Sequence, residues 1–478
     1  MESAIEPKTD PSPPKRHVVI FPFMSKGHTI PLLHLARLLL RRRISVTFFT
    51  TSANRPFIAD FLSDTSATIV SLPFPEKLPG IPAGVESTDQ LPCMSLFHSF
   101  ARSTELLKPH FDIALRNLLP HVSFIVSDGF LWWTLDSAAK LGVPRFVSYG
   151  MPTYSLLLTR LAIRYGLLHG NCNDDDEVED SITIPPFPRI KIRKKDFDTA
   201  PDRSNFDFVT KAAEATSRSF GILVNSFYEM EKDFVDLFNK EYHCKAWCIG
   251  PLLLAEPNLS QENHVNHHPW IYQWLDQKSS VLYVAFGTQA EISPQQMKEI
   301  AKGLEESKVS FVWVVRKKEQ RDIELPDGFE ERVRERGIVV REWVEQREIL
   351  MHEKVKGFLS HCGWNSVLES VCAAVPILAW PMMAEQPLNA KMVVEELKVG
   401  IRVEEETNCD GKSFVKWEEL KKKVKELMEG EMGREVRKKV KEVAEMARKA
   451  VGEGGSSWKT LEKLIEEACK GVDHASNY

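Results

Sequence analysis

The stretch that decides the fold runs from Trp343 to Gln386 and reads WVEQREILMHEKVKGFLSHCGWNSVLESVCAAVPILAWPMMAEQ. It contains the short apolar run VKGFLS, a turn with a glycine, the helix-like VLESVCAA and a second apolar run, PILAW. Strand, turn, helix and strand in this order predict a buried parallel sheet. The turn presents unpaired backbone N–H groups and the positive end of the helix dipole, where a pyrophosphate fits.

The side chains of this turn suit the same ligand. His361, Asn365 and Ser366 add donors at the start of the helix, and Gly363 lets the backbone approach closely. Glu369 lies about one turn further along the same helix face, where its carboxylate can accept hydrogen bonds from both ribose hydroxyls. Ordinary N-capping by Asn or Ser is the alternative interpretation.

Further polar or aromatic positions follow other strand-like runs. Trp343 comes after GIVV, where an indole can stack on a base for about 1–3 kcal/mol, or else belongs to the core. Glu385 and Gln386 follow PILAW and can hold sugar hydroxyls. Gly287 and Thr288 end VLYVAFG and offer a backbone and a hydroxyl to phosphate, unless they form an ordinary turn.

Outward from this stretch, strand-like and helix-like segments alternate along the chain. HVVIFPF, LLHLARLLLRRR and ISVTFFT form a β-α-β pattern near the start, and a second α/β series begins at VLYVAFG. We therefore expect an α/β fold with two doubly wound, Rossmann-like domains whose strand ends face a central cleft. The predicted parts are a disordered leader (1–16), a first domain that binds the acceptor (17–250), a second domain that binds the donor (251–455) and a C-terminal helix and tail packing back on the first domain (456–478). The charged tail from Glu418 to Ala468 predicts solvent-exposed helices.

Composition excludes several classes of function. The 478 residues are 43% hydrophobic and 27% charged, with a formal charge of −5, which is unlike a nucleic-acid binder. No run reaches the ~18 apolar residues that a membrane span requires, and no secretory signal opens the chain, so a cytoplasmic protein is expected. We also expect a monomer. The eight cysteines are scattered, which favours reduced thiols. The acidic run NDDDEVED is read as a solvated loop, and no metal site is predicted.

Two residues of the first half suit acid–base chemistry. His28 follows the first strand in SKGH and opens the first long helix, whose positive end should keep the imidazole neutral near pH 7. Asp128 ends the strand-like FIVS at the same edge of the sheet, where it can orient His28 and stabilise the charge that develops on it. A helix-start histidine bonded to backbone is the alternative. Four aromatic residues near the predicted cleft are candidates for acceptor binding: Phe97, Phe130, Trp133 and Tyr149.

The Trp343 to Gln386 stretch resembles the signature box of the plant family 1 UDP-glycosyltransferases, which have the GT-B fold. The resemblance rests on HCGWNS, Glu369, VP, WP and the final Glu-Gln, with support from GH, SD and FGT elsewhere. It implies that the base is His28 with Asp128 behind it, and that the donor is bound by Thr288, Trp343, Val344, Gln346, His361, Gly363, Trp364, Asn365, Ser366, Glu369, Glu385 and Gln386. In the family's pattern the tryptophan stacks on uracil, and Trp364, Glu385 and Gln386 face the sugar.

The resemblance further implies the reaction. The expected function is an inverting, metal-independent transfer of glucose from UDP-glucose, as co-substrate without other cofactor, to a small hydroxylated acceptor such as a flavonoid or other phenolic. Gln386 is the residue type associated with glucose. A non-catalytic nucleotide-sugar-binding protein, another UDP-sugar or a terpenoid acceptor are the alternatives. The chain departs from the family at Val344-Glu345, where Ala-Pro is common, and at Ala374, where Gly is usual.

Overall fold

The structure is a computed structural model that describes residues 16–119, 121–168, 181–197, 203–254, 268–315, 325–407 and 413–473. All but the last residue of the predicted leader lies outside these ranges, as does the acidic run NDDDEVED. Most of the Pro- and His-rich stretch between the two α/β series also lies outside them.

The first half of the chain forms a parallel sheet with helices on its faces. Its strands are β1 (His17–Phe21), β2 (Ser45–Thr51), β3 (Thr68–Leu72), β4 (Phe124–Asp128), β5 (Arg145–Ser148), β6 (Ser181–Ile184), β7 (Phe187–Arg193), β8 (Gly221–Val224) and β9 (Lys245–Cys248). Its helices are α1 (Lys26–Arg41), α2 (Arg55–Phe61), α3 (Phe97–Ser103), α4 (Lys108–Arg116), α5 (Thr134–Lys140), α6 (Thr153–Arg164), α7 (Arg203–Ser217) and α8 (Tyr228–Glu241).

The strand order of this first sheet is β3-β2-β1-β4-β5-β8-β9, and every residue of β4 is buried. Burial on both faces explains why the strands read as continuous apolar runs. The order reverses between β1 and β4, and ligands of open α/β sheets bind outside the carboxyl ends of strands at such a switch point. β6 and β7 form a separate antiparallel hairpin outside this sheet.

The second half repeats the architecture. Its strands are β10 (Val281–Ala285), β11 (Ser310–Val314), β12 (Gly337–Val340), β13 (Val355–Ser360), β14 (Ile377–Ala379), β15 (Gly400–Arg402), β16 (Glu406–Thr407) and β17 (Ser413–Phe414). Its helices are α9 (Pro269–Asp276), α10 (Pro294–Ser307), α11 (Phe329–Val333), α12 (Gln346–Met351), α13 (Trp364–Cys372), α14 (Gln386–Lys391), α15 (Trp417–Glu429) and α16 (Glu431–Val451), and α17 (Ser456–Asp473) follows. The sheet order is β12-β11-β10-β13-β14-β15, so its switch point lies between β10 and β13.

The last helices join the two halves. Residues of α16 belong to an apolar core that also contains α6 and α8 of the first half and α13 of the second. Leu461, Leu464 and Ile465 of α17 are buried in the core around β1, α1 and β2. The expectation of solvent-exposed terminal helices is therefore wrong for one face of each helix, because their apolar stripes are buried. No described helix has the length and apolar character needed to cross a membrane.

Candidate active site

The switch points of the two sheets face one cleft, with a volume of about 3280 Å³. It is lined from the first half by His28, Phe130 and Gly150, and from the second by His361 and Glu369, among others. The cleft thus brings together side chains that the sequence keeps more than two hundred residues apart. A cavity of this size accommodates two ligands side by side.

A histidine and a carboxylate form a hydrogen-bonded pair at the first switch point. His28, in the first turn of α1, and Asp128, the last residue of β4, are joined by a bond of 2.7 Å between Nδ1 and Oδ2. The other carboxylate oxygen of Asp128 accepts the backbone N–H of Phe130 at 2.9 Å. Because an ionised carboxylate only accepts, Nδ1 of His28 carries the proton and Nε2 keeps its lone pair. A Cβ placed on Gly150 would lie 3.6 Å from Nε2, so the glycine leaves room beside that atom.

The charge environment of His28 differs from the expectation of a neutral ring held by the helix dipole. Burial lowers the pKa of His28, but the charge and hydrogen bond of Asp128 outweigh it, with a further contribution from Glu385, and the net pKa is raised. The positive end of α1 therefore affects the pKa of His28 less than Asp128 does, because the carboxylate is in direct contact with the ring. Since the charge of Glu385 affects the pKa of His28, the end of the Trp343 to Gln386 stretch lies near the base.

The cleft wall beside His28 is aromatic. The ring centroid of Phe130 lies 5.4 Å from that of His28, and 5.5 Å and 6.1 Å from those of Phe97 and Tyr149. All three line the cleft. The prediction for Trp133 is wrong, because its ring is fully buried in the core and its indole N–H is bonded to Thr104. The sequence pattern alone does not say whether an aromatic ring faces the cleft or the core.

The base-stacking candidate Trp343 lines the cleft and is 41% exposed, which removes the core alternative. Val344 beside it is buried. Glu345 stands where the family pattern commonly has proline. Its φ of −73° lies within the range that proline adopts, and α12 begins at Gln346. Burial, followed by the charges of Glu348 and Glu369, raises the pKa of Glu345 to about 7.

The ribose candidates contact each other. The amide nitrogen of Gln346 donates to Glu369 and, at 2.9 Å, to the hydroxyl of Ser366. Burial raises the pKa of Glu369 to about 7, although the hydrogen bond from Gln346 opposes the shift. These three side chains, on the neighbouring helices α12 and α13, present a compact polar patch at the cleft wall.

The turn before α13 is tightly built around His361. Cβ atoms placed on Gly363 and Gly287 would lie 2.5 Å and 2.8 Å from its Nε2, so only glycine fits at either position. Among the described residues its Nδ1 has no hydrogen-bond partner, and burial lowers the pKa of His361 to about 4. Cys362 has a φ of +62°, a conformation that is uncommon outside glycine. Thr288 follows Gly287 at the cleft surface.

Comparison with known proteins identifies the family. The family described as UDP-glucoronosyl and UDP-glucosyl transferase matches residues 256–443. UDP-glycosyltransferase 90A1 of Arabidopsis thaliana is 55% identical, with 96% of this chain and 97% of the relative covered. A UDP-glucose flavonoid 3-O-glucosyltransferase of Fragaria ananassa is 36% identical, covering 94% and 96%. The chain belongs to the plant family 1 UDP-glycosyltransferases. Medicago truncatula UGT71G1, solved with UDP-glucose, has the same fold at a TM-score of 0.80 and 28% identity, covering 95% and 98%.

Other predicted donor residues of this UDP-glycosyltransferase make contacts between the two halves. The indole N–H of Trp364 donates to the backbone oxygen of Asn225 at 2.7 Å, and its ring is only 2% exposed. The ring packs in the core shared by both halves and the residue also borders the cleft, so its predicted contact with the sugar stays a prediction. Asn365 donates to the backbone oxygen of Gly27 at 2.7 Å, directly before His28.

The last two predicted residues, Glu385 and Gln386, end the loop before α14 and begin that helix, and both line the cleft. The side-chain oxygen of Gln386 accepts the backbone N–H groups of Met382 and Met383 at 3.0 Å and 3.1 Å, which leaves its amide N–H groups for a ligand. Glu385 accepts a bond of 3.4 Å from Asn389, a residue that the sequence reading missed. The spacing of four residues on a helix start was the signal that could have found it.

No group of three or more His, Cys, Asp or Glu side chains in the described part of the chain is arranged to hold a metal ion.

Proposed function

We propose that this UDP-glycosyltransferase transfers glucose from UDP-glucose to a hydroxyl of a small phenolic acceptor, with inversion at the anomeric carbon. The observation that carries the proposal is the His28 and Asp128 pair, which faces the Glu385 and Gln386 loop across one cleft. A protein that only bound nucleotide sugars would have no use for an oriented base beside an apolar wall.

In the proposed reaction, Nε2 of His28 accepts the proton of the acceptor hydroxyl. The hydroxyl oxygen forms a bond to the anomeric carbon while the bond from that carbon to the diphosphate oxygen breaks, and UDP leaves with the electron pair. Asp128 stabilises the imidazolium that results. Attack opposite the leaving group converts an α-linked donor into a β-glucoside.

The leaving diphosphate gains negative charge, which the protein must stabilise. The N-terminus of α13, Thr288 and the neutral imidazole of His361 are the groups we assign to it. No cation is required in this scheme, and we expect full activity in the presence of EDTA. Loss of activity on chelation, restored by Mg²⁺ or Mn²⁺, would contradict a metal-independent reaction.

Relatives support the choice of substrates. The Fragaria relative is named for UDP-glucose and a flavonoid, and a 34% identical relative from Nicotiana tabacum is a scopoletin glucosyltransferase. A structural neighbour from Phytolacca americana, with a TM-score of 0.79, was solved with a fluorinated UDP-glucose and pterostilbene. The wall formed by Phe97, Phe130 and Tyr149 suits the flat rings of such phenolics.

The decisive experiment is an acceptor screen with UDP-glucose, read by product mass and by UDP release. We expect a mass increase of one hexose on at least one flavonoid or other phenolic, with UDP released only when acceptor is present. UDP-glucose binding without transfer to any hydroxylated acceptor would favour the non-catalytic alternative. Transfer from another UDP-sugar, or only to terpenoids, would correct the donor or the acceptor. We further propose a cytoplasmic monomer, testable by cell fractionation and gel filtration.

A further inference from the structure

A buried amide connects the predicted sugar-binding loop to the other half of the enzyme. Asn389, in α14, has no exposed surface. Its amide nitrogen donates to the backbone oxygen of Cys362 at 3.0 Å and to Glu385 at 3.4 Å, and its oxygen accepts the hydroxyl of Ser155 at 2.8 Å. The orientation of the amide is fixed by chemistry, because a carbonyl and a carboxylate only accept whereas a hydroxyl can donate.

Each partner of Asn389 lies next to a different part of the catalytic cleft, and only Glu385 lines it. Cys362 is the left-handed residue in the turn that we assign to the diphosphate. Glu385 ends the loop before α14, which we assign to the sugar, and its charge reaches His28. Ser155 lies in the first turn of α6, the helix that begins just after Gly150, the glycine beside the base.

We propose that Asn389 is a positioning residue that orients Glu385 and the diphosphate turn, and that its bond to Ser155 makes this orientation depend on the first half of the enzyme. The proposal rests on the proposed role of Glu385 in sugar binding. Asn389 touches neither substrate in this account, because it is fully buried behind the residues that do. An amide is required, since no other uncharged side chain of this size donates twice and accepts once.

The test compares binding of UDP-glucose with binding of UDP, by calorimetry, in Asn389→Ala. Loss of the bond to Glu385 is expected to weaken UDP-glucose roughly tenfold relative to UDP, because only the sugar complex uses that carboxylate. In Asn389→Asp, a second carboxylate beside Glu385 should reduce the affinity for UDP-glucose relative to UDP at least as much. In Ser155→Ala the amide loses its bond to the first half but keeps the two bonds that it donates, so the ratio of UDP-glucose to UDP affinity is expected to fall less than in Asn389→Ala, by roughly two- to threefold, and kcat to fall roughly threefold.

A matched control is available in α10. Gln296 is also a buried amide, with bonds to the backbone N–H and oxygen of Val415, and it does not line the cleft. Gln296→Ala should lower the melting temperature without changing the ratio of UDP-glucose to UDP affinity. An unchanged ratio in Asn389→Ala, or an equal change in Gln296→Ala, would overturn the positioning role.

The outcomes separate this role from the proposed function. If the wild-type protein prefers another UDP-sugar, the proposed donor is wrong, and the same ratio is then measured with the preferred sugar. If Asn389→Ala does not fold, Ser155→Ala and Asn389→Asp decide. A kcat in Ser155→Ala equal to that of the wild type would contradict the proposed coupling to the first half. An unchanged ratio of UDP-glucose to UDP affinity in Asn389→Asp would contradict the proposed orientation of Glu385.

Discussion

The enzyme has a histidine at the switch point of each sheet, and the two differ in their neighbours. His28 contacts a carboxylate, which raises its pKa against the effect of burial. His361 has no hydrogen-bond partner for Nδ1 among the described residues, and burial alone lowers its pKa to about 4. The first can take up a proton, whereas the second stays neutral at physiological pH. Two histidines beside the switch points thus acquire different chemistry, because only one of them contacts a carboxylate.

The largest effect is expected from removing the base. His28→Ala should lower kcat by about 10³-fold, because a positioned general base contributes about 10²–10⁴-fold. Affinity for UDP-glucose, measured by calorimetry, should change less than about threefold. His361→Ala is the paired variant and should instead weaken donor binding roughly tenfold. Near-normal turnover of His28→Ala with its best acceptor would abolish the distinction between the two histidines.

Asp128→Asn keeps the shape of the pair but removes its charge. We expect kcat to fall by on the order of 10²-fold, because the imidazolium formed in the reaction loses its stabilisation. The base works unprotonated, so wild-type kcat/KM should rise with pH through a pKa above 6.5. Without the carboxylate, burial dominates and lowers the pKa of His28, so the rise of kcat/KM with pH should move to lower pH. A rise of kcat/KM in Asp128→Asn at the same pH as in the wild type, or at higher pH, would contradict this role of Asp128.

On the donor side, Trp343→Ala tests base stacking. Loss of about 1–3 kcal/mol should weaken UDP binding by roughly 5–150-fold. Trp270 is a fair control, because it is similarly exposed, at 46%, but does not line the cleft. Trp270→Ala should bind UDP normally, and equal losses in both variants would argue against a specific stack.

A smaller change is expected from Gln386→His. The imidazole cannot accept the two backbone N–H groups that hold the Gln386 side chain, so the loop and its sugar contact should shift. The ratio of kcat/KM for UDP-glucose to that for UDP-galactose should fall roughly three- to tenfold. An unchanged donor ratio would mean that Gln386 does not contact the sugar.

The smallest effect concerns Ala374, at a position where the family pattern usually has glycine. Its φ is +57°, and a left-handed conformation costs a non-glycine residue about 1–2 kcal/mol. Glycine also raises the entropy of the unfolded chain, which offsets about 0.5–1 kcal/mol of the stabilisation gained by relieving this cost. Ala374→Gly should therefore stabilise the protein by about 0.5 kcal/mol and raise the melting temperature by about a degree, with unchanged kcat. Ala373→Gly, at a φ of −80°, should destabilise it instead.

The repeated α/β architecture could be predicted because buried parallel strands and their helices leave strong local patterns. The helices of the C-terminal tail were harder to place, since an amphipathic pattern does not say which surface covers the apolar stripe. The signature turn with Gly363 was predictable for the same local reason, as strand, turn and helix follow one another in sequence.

By itself, then, the sequence determined the residue types, the two α/β units and the family, because each depends on neighbouring residues. Tertiary structure decided the rest. It brought His28 into contact with Asp128, which lies a hundred residues away in sequence. It also buried the rings of Trp133 and Trp364 in apolar cores and formed the hydrogen bond between Ser155 and Asn389. These outcomes depend on which strand ends and helices meet in space, and the energies that decide them come from burial and from charges brought into contact by the fold.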